Sequence, residues 1–241
     1  MRIIKILLAL TLFTLNFQNV LFAVSSRSFD GTNDRVVTSD VHNVTTGNVS
    51  ACAWVKPTED AALNCTSGKR TATGAGYHLT QTTGDLFTFT TSDATTTVAA
   101  TSAADLDGVW TFTCGTYDGV SLTKTSTIYE NGVSAGSDLS LAIGSISNTT
   151  NFIMGVSAVA DNDYTGLIAY NSVWTDIIMT ETEMFEFMFK PDTAEIASGF
   201  WPLWGQSPEL DLSASANTGT VTGASTSADG PPVMFGGGIP L

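Results

Sequence analysis

Asp30, Asp34, Asp161, Asn162 and Asp163 are short oxygen donors gathered in two turn-like stretches of this chain. Calcium (Ca2+) takes six to eight oxygens in flexible geometry, often including backbone carbonyls, so these residues are candidate calcium ligands. The same residues also suit Asx turns, in which a carboxylate accepts a hydrogen bond from nearby backbone. A second chemistry needs an aromatic ring with a polar tip, able to lie against a sugar and meet its hydroxyls. Tyr77, His78, Tyr164 and Tyr170 are the residues expected to carry such a tip near a surface.

Two catalytic readings fail on spacing. Gly132-Val133-Ser134-Ala135-Gly136 matches Gly-x-Ser-x-Gly, but that motif needs a strand, a sharp turn and a helix. Here it follows an Asn-Gly turn with no helix after it, and neither His42 nor His78 lies in a triad context. Glu181, Glu183 and Glu186 form the densest carboxylate cluster. Retaining glycosidases hold two carboxyls about 5–5.5 Å apart across the scissile bond. This cluster reads as the solvated face of a helix instead.

The elements that must hold these groups are mostly strands. Val49–Val55, Gly76–Gln81, Leu86–Thr91, Asn151–Val156 and Gly166–Trp174 are rich in β-formers between turn signals. Trp110, Phe112 and Cys114 alternate with Thr111 and Thr113, the period of a half-buried strand. Thr82–Asp85 predicts a hairpin turn, and Asn131-Gly132 joins Ser126–Glu130 to Val133–Ala135. Trp54, Trp110 and Trp174 are expected to be hidden between two stacked sheets. One helix is predicted: Thr180-Glu181-Thr182-Glu183 is a capping box, Met184, Phe187 and Met188 share a face, and Pro191 ends the run.

Composition narrows the partners. The chain has 23 acidic and 9 basic residues, a net charge of −14, which repels nucleic acid phosphates and anionic lipid headgroups. Nucleic acid is therefore not an expected partner. Charged residues are only 13% of the chain, against about 25% in typical domains, and Ser, Thr, Asn and Gly supply the polar surface. Residues 1–23 read as a secretory signal: Arg2 and Lys5, an apolar run from Ile6 to Phe13, then Ala23 at the cleavage point. Asn16, Gln18 and Asn19 interrupt that run short of the ~20 residues a membrane span needs, so no membrane association is expected after cleavage. Cys52, Cys65 and Cys114 allow one disulfide and one free thiol, or three buried thiols.

Four short motifs carry a family resemblance: Phe29-Asp30-Gly31-Thr32-Asn33-Asp34, Ala53-Trp54-Val55-Lys56-Pro57, Gly115-Thr116-Tyr117-Asp118-Gly119 and Tyr129-Glu130-Asn131-Gly132-Val133. In order and spacing the chain resembles the laminin-G-like, concanavalin A-type jelly-roll superfamily. The resemblance implies an all-β, antiparallel jelly-roll β-sandwich with one short C-terminal helix, over residues 24–223. It implies a circularly permuted order, with the closing strand drawn from residues 200–223, and a flexible tail over 224–241. It implies neighbouring strands for Cys52 and Cys114, which favours that disulfide. It implies a structural calcium at the rim, held by Asp30 and the carbonyl of Gly31, with Asp161 or Asp163 opposite. Many members carry Asp-Glu where this chain has Ala169-Tyr170 after Ile168, so one family ligand is missing. The function implied is that of a secreted or cell-surface, non-enzymatic lectin-like module whose partner is a glycan or cell-surface polysaccharide. The alternative is a structural or appendage protein of a phage or cell surface, and a glycoside hydrolase ranks last.

Overall fold

The computed structural model of the chain describes residues 25–44, 47–58, 63–103, 106–157, 163–191 and 197–233. The expected signal over 1–23, and Asp161 and Asn162, lie outside the described residues. In chain order the strands are β1 (Ser26–Asp30), β2 (Arg35–Val37), β3 (Val49–Pro57), β4 (Asn64–Arg70), β5 (Gly76–Gln81), β6 (Phe87–Ser92) and β7 (Thr97–Thr101). Then come β8 (Thr111–Asp118), β9 (Lys124–Glu130), β10 (Val133–Ser140), β11 (Ile153–Met154) and β12 (Thr165–Thr175). The helix α1 (Glu181–Phe189) is followed by β13 (Gly199–Trp201), β14 (Thr220–Thr222) and β15 (Ser225–Ser227).

These strands form two antiparallel sheets. The first runs β10-β9-β8-β3-β12-β1-β15, with β13 also on β12; the second runs β14-β2-β11-β4-β5-β6-β7. The expected antiparallel β-sandwich is what the chain builds, with one helix among the described residues. Asn131 and Gly132 both take positive φ, 52° and 80°, as the tight hairpin turn between β9 and β10 requires.

Strand alternation divides the apolar residues between two cores. Ala51, Ala53 and Val55 of β3 face the second sheet, where Leu79, Phe87, Phe89, Val98 and Phe152 meet them. Cys52 and Trp54, one residue out of phase, face the other way. That outer face of the first sheet carries Phe112, Cys114 and Trp174, and α1 closes over it with Met184, Phe187 and Met188. Phe187 meets Trp174 edge-on at 5.0 Å, and Trp54 Nε1 donates to the Met188 carbonyl at 3.1 Å. Each such buried side chain contributes about 1.5–3 kcal/mol. The capping box is formed: Glu183 N–H donates to Thr180 Oγ1 at 3.3 Å, and Thr180 N–H donates to Glu183 Oε2 at 2.8 Å.

The expected position of the three tryptophans is therefore corrected. Trp54 and Trp174 are buried, but beneath the helix rather than between the sheets, because their strand parity points them outward. Trp110 is half-buried at the rim of that second core and donates its indole N–H to Asp229 Oδ1 at 2.8 Å. Cys52 and Cys114 face each other across β3 and β8 and are joined as a disulfide; Cys65 is a buried thiol, its pKa pushed up to about 12 by burial.

The C-terminal segment completes both sheets. β12 pairs with β1 over Thr165–Ile168 and with β13 over Asn171–Val173, so β13 continues the row that β1 begins. Trp201 enters the inter-sheet core, stacked on Phe152 at 5.2 Å, while Phe200 joins the core beneath α1. β14 then pairs with β2, and β15 with β1. The expectation of a loose tail from residue 224 is corrected on this point. Ala224 accepts from Arg27 Nη1 at 2.8 Å, and Asp229 meets Lys56 Nζ at 2.6 Å. An open strand edge and a charge partner hold a segment whose composition alone suggests a tail. Residues 234–241 lie outside the described residues.

Candidate functional site

The short strand β2 positions the site. Val36 points into the core with no exposure, so Arg35 and Val37 point outward. β14 runs antiparallel beside them, with Thr222 opposite Arg35 and Thr220 opposite Val37. On the other side Ile153 of β11 lies opposite Val37. The turn before β14 adds Ala216, Asn217 and Thr218, and Asn151 precedes β11. Together with Thr38 and Ser39 these residues line a groove of about 630 Å3.

The groove is built on rigid parts. Trp201 lies under it and donates its indole N–H to the Asn217 carbonyl at 2.9 Å. Asp211 accepts the Asn217 N–H at 2.8 Å and the Phe200 N–H at 2.9 Å. Gly223 follows β14 with φ of +74°, and a Cβ there would come within 1.8 Å of Asp34 Oδ1. The close approach of these two residues fixes where β14 ends. The lining offers a guanidinium, two amides and several hydroxyls over the apolar Val37, with no carboxylate, imidazole or thiol among its residues. That set can hydrogen-bond a polyol; it holds no pair of acids to cleave one.

The four aromatic candidates do not come together there, and their expected exposure is corrected. Tyr77 and His78 are adjacent on β5 and point to opposite faces. Tyr77 is in the inter-sheet core, its hydroxyl donating to the His42 carbonyl at 3.1 Å, and burial pushes its pKa up. His78 lies on the outer face of the second sheet but is only 5% exposed, with Nε2 3.2 Å from Arg70 Nη1. Burial, then Arg70, lowers its pKa to about 3. Tyr164 is fully buried against Phe29, with centroids 6.1 Å apart. Tyr170 sits under α1, and its hydroxyl accepts from Trp204 Nε1 at 3.3 Å. None of the four presents a ring face to solvent, because each fills core or interstrand space.

The described acidic candidates, Asp30, Asp34 and Asp163, do gather, at the turn that leads into β2. Asp30 Oδ1 accepts the Thr32 N–H at 2.8 Å, Asp34 Oδ2 accepts the Asp30 N–H at 2.9 Å, and Asp163 Oδ2 accepts the Asn33 N–H at 3.0 Å. Gly31 N–H donates to the Tyr164 carbonyl at 3.1 Å. Burial raises the Asp34 pKa; the Asp30 N–H opposes this, and the charges of Asp30 and Asp163 add to it. Asp163 Oδ1 is buried without a hydrogen-bond partner. Even so, among the described residues no three Asp, Glu, His or Cys side chains form a group able to hold a metal. The described donors close the turn in the Asx manner, and Asp161, the other expected ligand, lies outside the described residues.

Sequence reasoning missed Arg35, Asn151, Asn217 and the threonines of β14. The one available signal was Thr218-Gly219-Thr220-Val221-Thr222, whose alternation marks a strand with an outward hydroxyl row.

With this geometry in place the family is defined. Residues 30–184, more than half of the chain, match the Laminin_G_3 family, and the protein belongs to the concanavalin A-like lectin/glucanases superfamily. Among solved structures, a candidate carbohydrate binding protein from Bacteroides ovatus is similar, with a TM-score of 0.69 and 16% identity over 88% of this chain. The chain spans 62% of that protein's length. A SAP-like pentraxin from Limulus polyphemus gives 0.54 and 14%, covering 68% of this chain and 82% of its own. The botulinum neurotoxin serotype G binding domain gives 0.54 and 14%, covering 68% and 42%. At these identities the likeness is one of fold. No curated protein sequence matches the chain.

Proposed function

We propose that the protein is a non-enzymatic carbohydrate-binding module that works outside the cell. The observation that carries the reading is the β2–β14 groove: amides, hydroxyls and one guanidinium over an apolar floor, with no acid in the lining. Hydrogen-bonding groups spaced along a shallow groove suit repeated sugar hydroxyls, and weak single contacts gain strength when sites are multiplied. The exposed position of Glu181, Glu183 and Glu186 on α1 supports the non-enzymatic reading. The N-terminal signal pattern and the Cys52–Cys114 disulfide suit an oxidising, extracytoplasmic compartment.

A glycan array probed with the processed chain, with and without calcium, tests the reading. Retention on at least one polysaccharide class is expected; no retention on any would overturn it. The assembly alternative rests on Val133 and Leu139 of β10 and on Leu141, which are 62–76% exposed. It predicts concentration-dependent mass in solution, which light scattering measures.

A further inference from the structure

Seven lysines and arginines lie among the described residues, and six of them are engaged. Arg27 pairs with Glu209, Lys56 with Asp229 and Lys69 with Asp40. Arg70 donates to the Gly74 carbonyl, Lys124 to the Gly119 carbonyl, and Lys190 has its own partner. Arg35 alone among them has a side chain with no ion pair or hydrogen bond within the described residues. It is part-exposed and lines the β2–β14 groove, whose lining contains no carboxylate.

In a chain of net charge −14, a guanidinium with no ion pair among the described residues is open to an anionic ligand. A free guanidinium presents a planar fork of donors that matches a carboxylate or sulfate with two parallel hydrogen bonds. Asn151 and Asn217 can take the adjoining hydroxyls. Resting on the carbohydrate-binding reading above, we infer that this groove takes an acidic polysaccharide, with a sugar carboxylate or sulfate seated on Arg35.

The overall charge opposes such a ligand at long range. At about 0.15 M salt the Debye length is ~8 Å, so remote carboxylates are screened while the contact at Arg35 is not. The test is therefore run at that ionic strength, by calorimetry with three probes: oligogalacturonate, a sulfated galactan oligosaccharide and a neutral galactan oligosaccharide. The wild-type chain is expected to prefer one of the two acidic probes over the neutral one, and which one identifies the anionic group. Arg35→Gln is expected to reduce that preference at least about tenfold, and Arg35→Lys to reduce it less, since it keeps the charge and loses the fork. Because the Arg35 side chain makes no bond among the described residues, both variants should melt with the wild type. A preference for the neutral probe, or an acidic preference that survives Arg35→Gln, overturns the inference while leaving carbohydrate binding in place. Failure to bind any of the three, together with a blank glycan array, overturns the broader reading as well.

Discussion

Arg27 and Glu209 are 182 residues apart in sequence, and Arg27 Nε donates to Glu209 Oε1 at 2.7 Å with both side chains buried. The same guanidinium donates to the carbonyls of Ala224 and Gln206, and Glu209 Oε1 also accepts the Gly205 N–H at 2.9 Å. This pair ties β1 to the C-terminal segment that supplies β13, β14 and β15.

Removing one partner leaves a buried charge unpaired, which costs about 3–5 kcal/mol, whereas replacing both by apolar residues is often far less damaging. Glu209→Ala should lower unfolding stability by about that amount. The double variant Arg27→Met, Glu209→Leu should recover part of it. Urea unfolding of the three chains checks this. A Glu209→Ala loss below about 1 kcal/mol would mean that the C-terminal segment contributes little to the fold.

His42 and His78 set a pH dependence. Burial, partly offset by Asp211 and reinforced by Lys69, lowers the His42 pKa to about 4; burial and Arg70 lower His78 to about 3. Both values lie below the 6.5 of an unfolded histidine. The unfolded chain thus binds more protons below pH 6.5, so stability held above that pH is lost as pH falls toward the folded values. Each histidine contributes a slope of up to about 1.4 kcal/mol per pH unit. Urea midpoints measured from pH 7.5 to 4.5 should fall, and His78→Gln should flatten the curve. A midpoint constant over that range would show that the imidazoles titrate freely.

Asp34 gives the opposite sign. Its pKa is raised, so the stability it contributes is present below the ordinary carboxylate value and lost as pH rises through the folded one. Asp34→Asn keeps an oxygen for the Asp30 N–H and removes the repulsion from Asp30 and Asp163. It should leave stability at pH 7 unchanged or slightly raised. The thermal midpoint of the wild type should be the same with chelator and with millimolar calcium, since one oxygen of each of these carboxylates is engaged by a loop N–H group. A calcium-dependent rise in midpoint that Asp34→Asn abolishes would restore the metal to this turn.

The fold was legible where local chemistry is strong. Asn131-Gly132 marked its hairpin, Thr180 and Glu183 marked the helix start, and Gly76–Gln81 marked β5 to the residue. Alternation in β8 was readable too, but not which face of its sheet met the second sheet. Both faces are buried, one by that sheet and one by α1, and a sequence period cannot distinguish them. The site was largely hidden for a related reason. β2 is three residues long, too short for a periodic signal, and β2 and β14 meet across 183 positions of chain, from Val37 to Thr220. Tyr77, His78, Tyr164 and Tyr170 were singled out by residue type; packing decided their fate, and type alone does not reveal packing.

The central claim is that the β2–β14 groove receives a glycan. Hydrogen exchange of backbone amides, measured with and without saturating oligosaccharide from the class retained on the array, tests it most directly. The account predicts added protection at Arg35–Ser39, Asn151 and Ala216–Thr222, with β6, β7 and α1 unchanged. Protection confined to another face of the sandwich would contradict it.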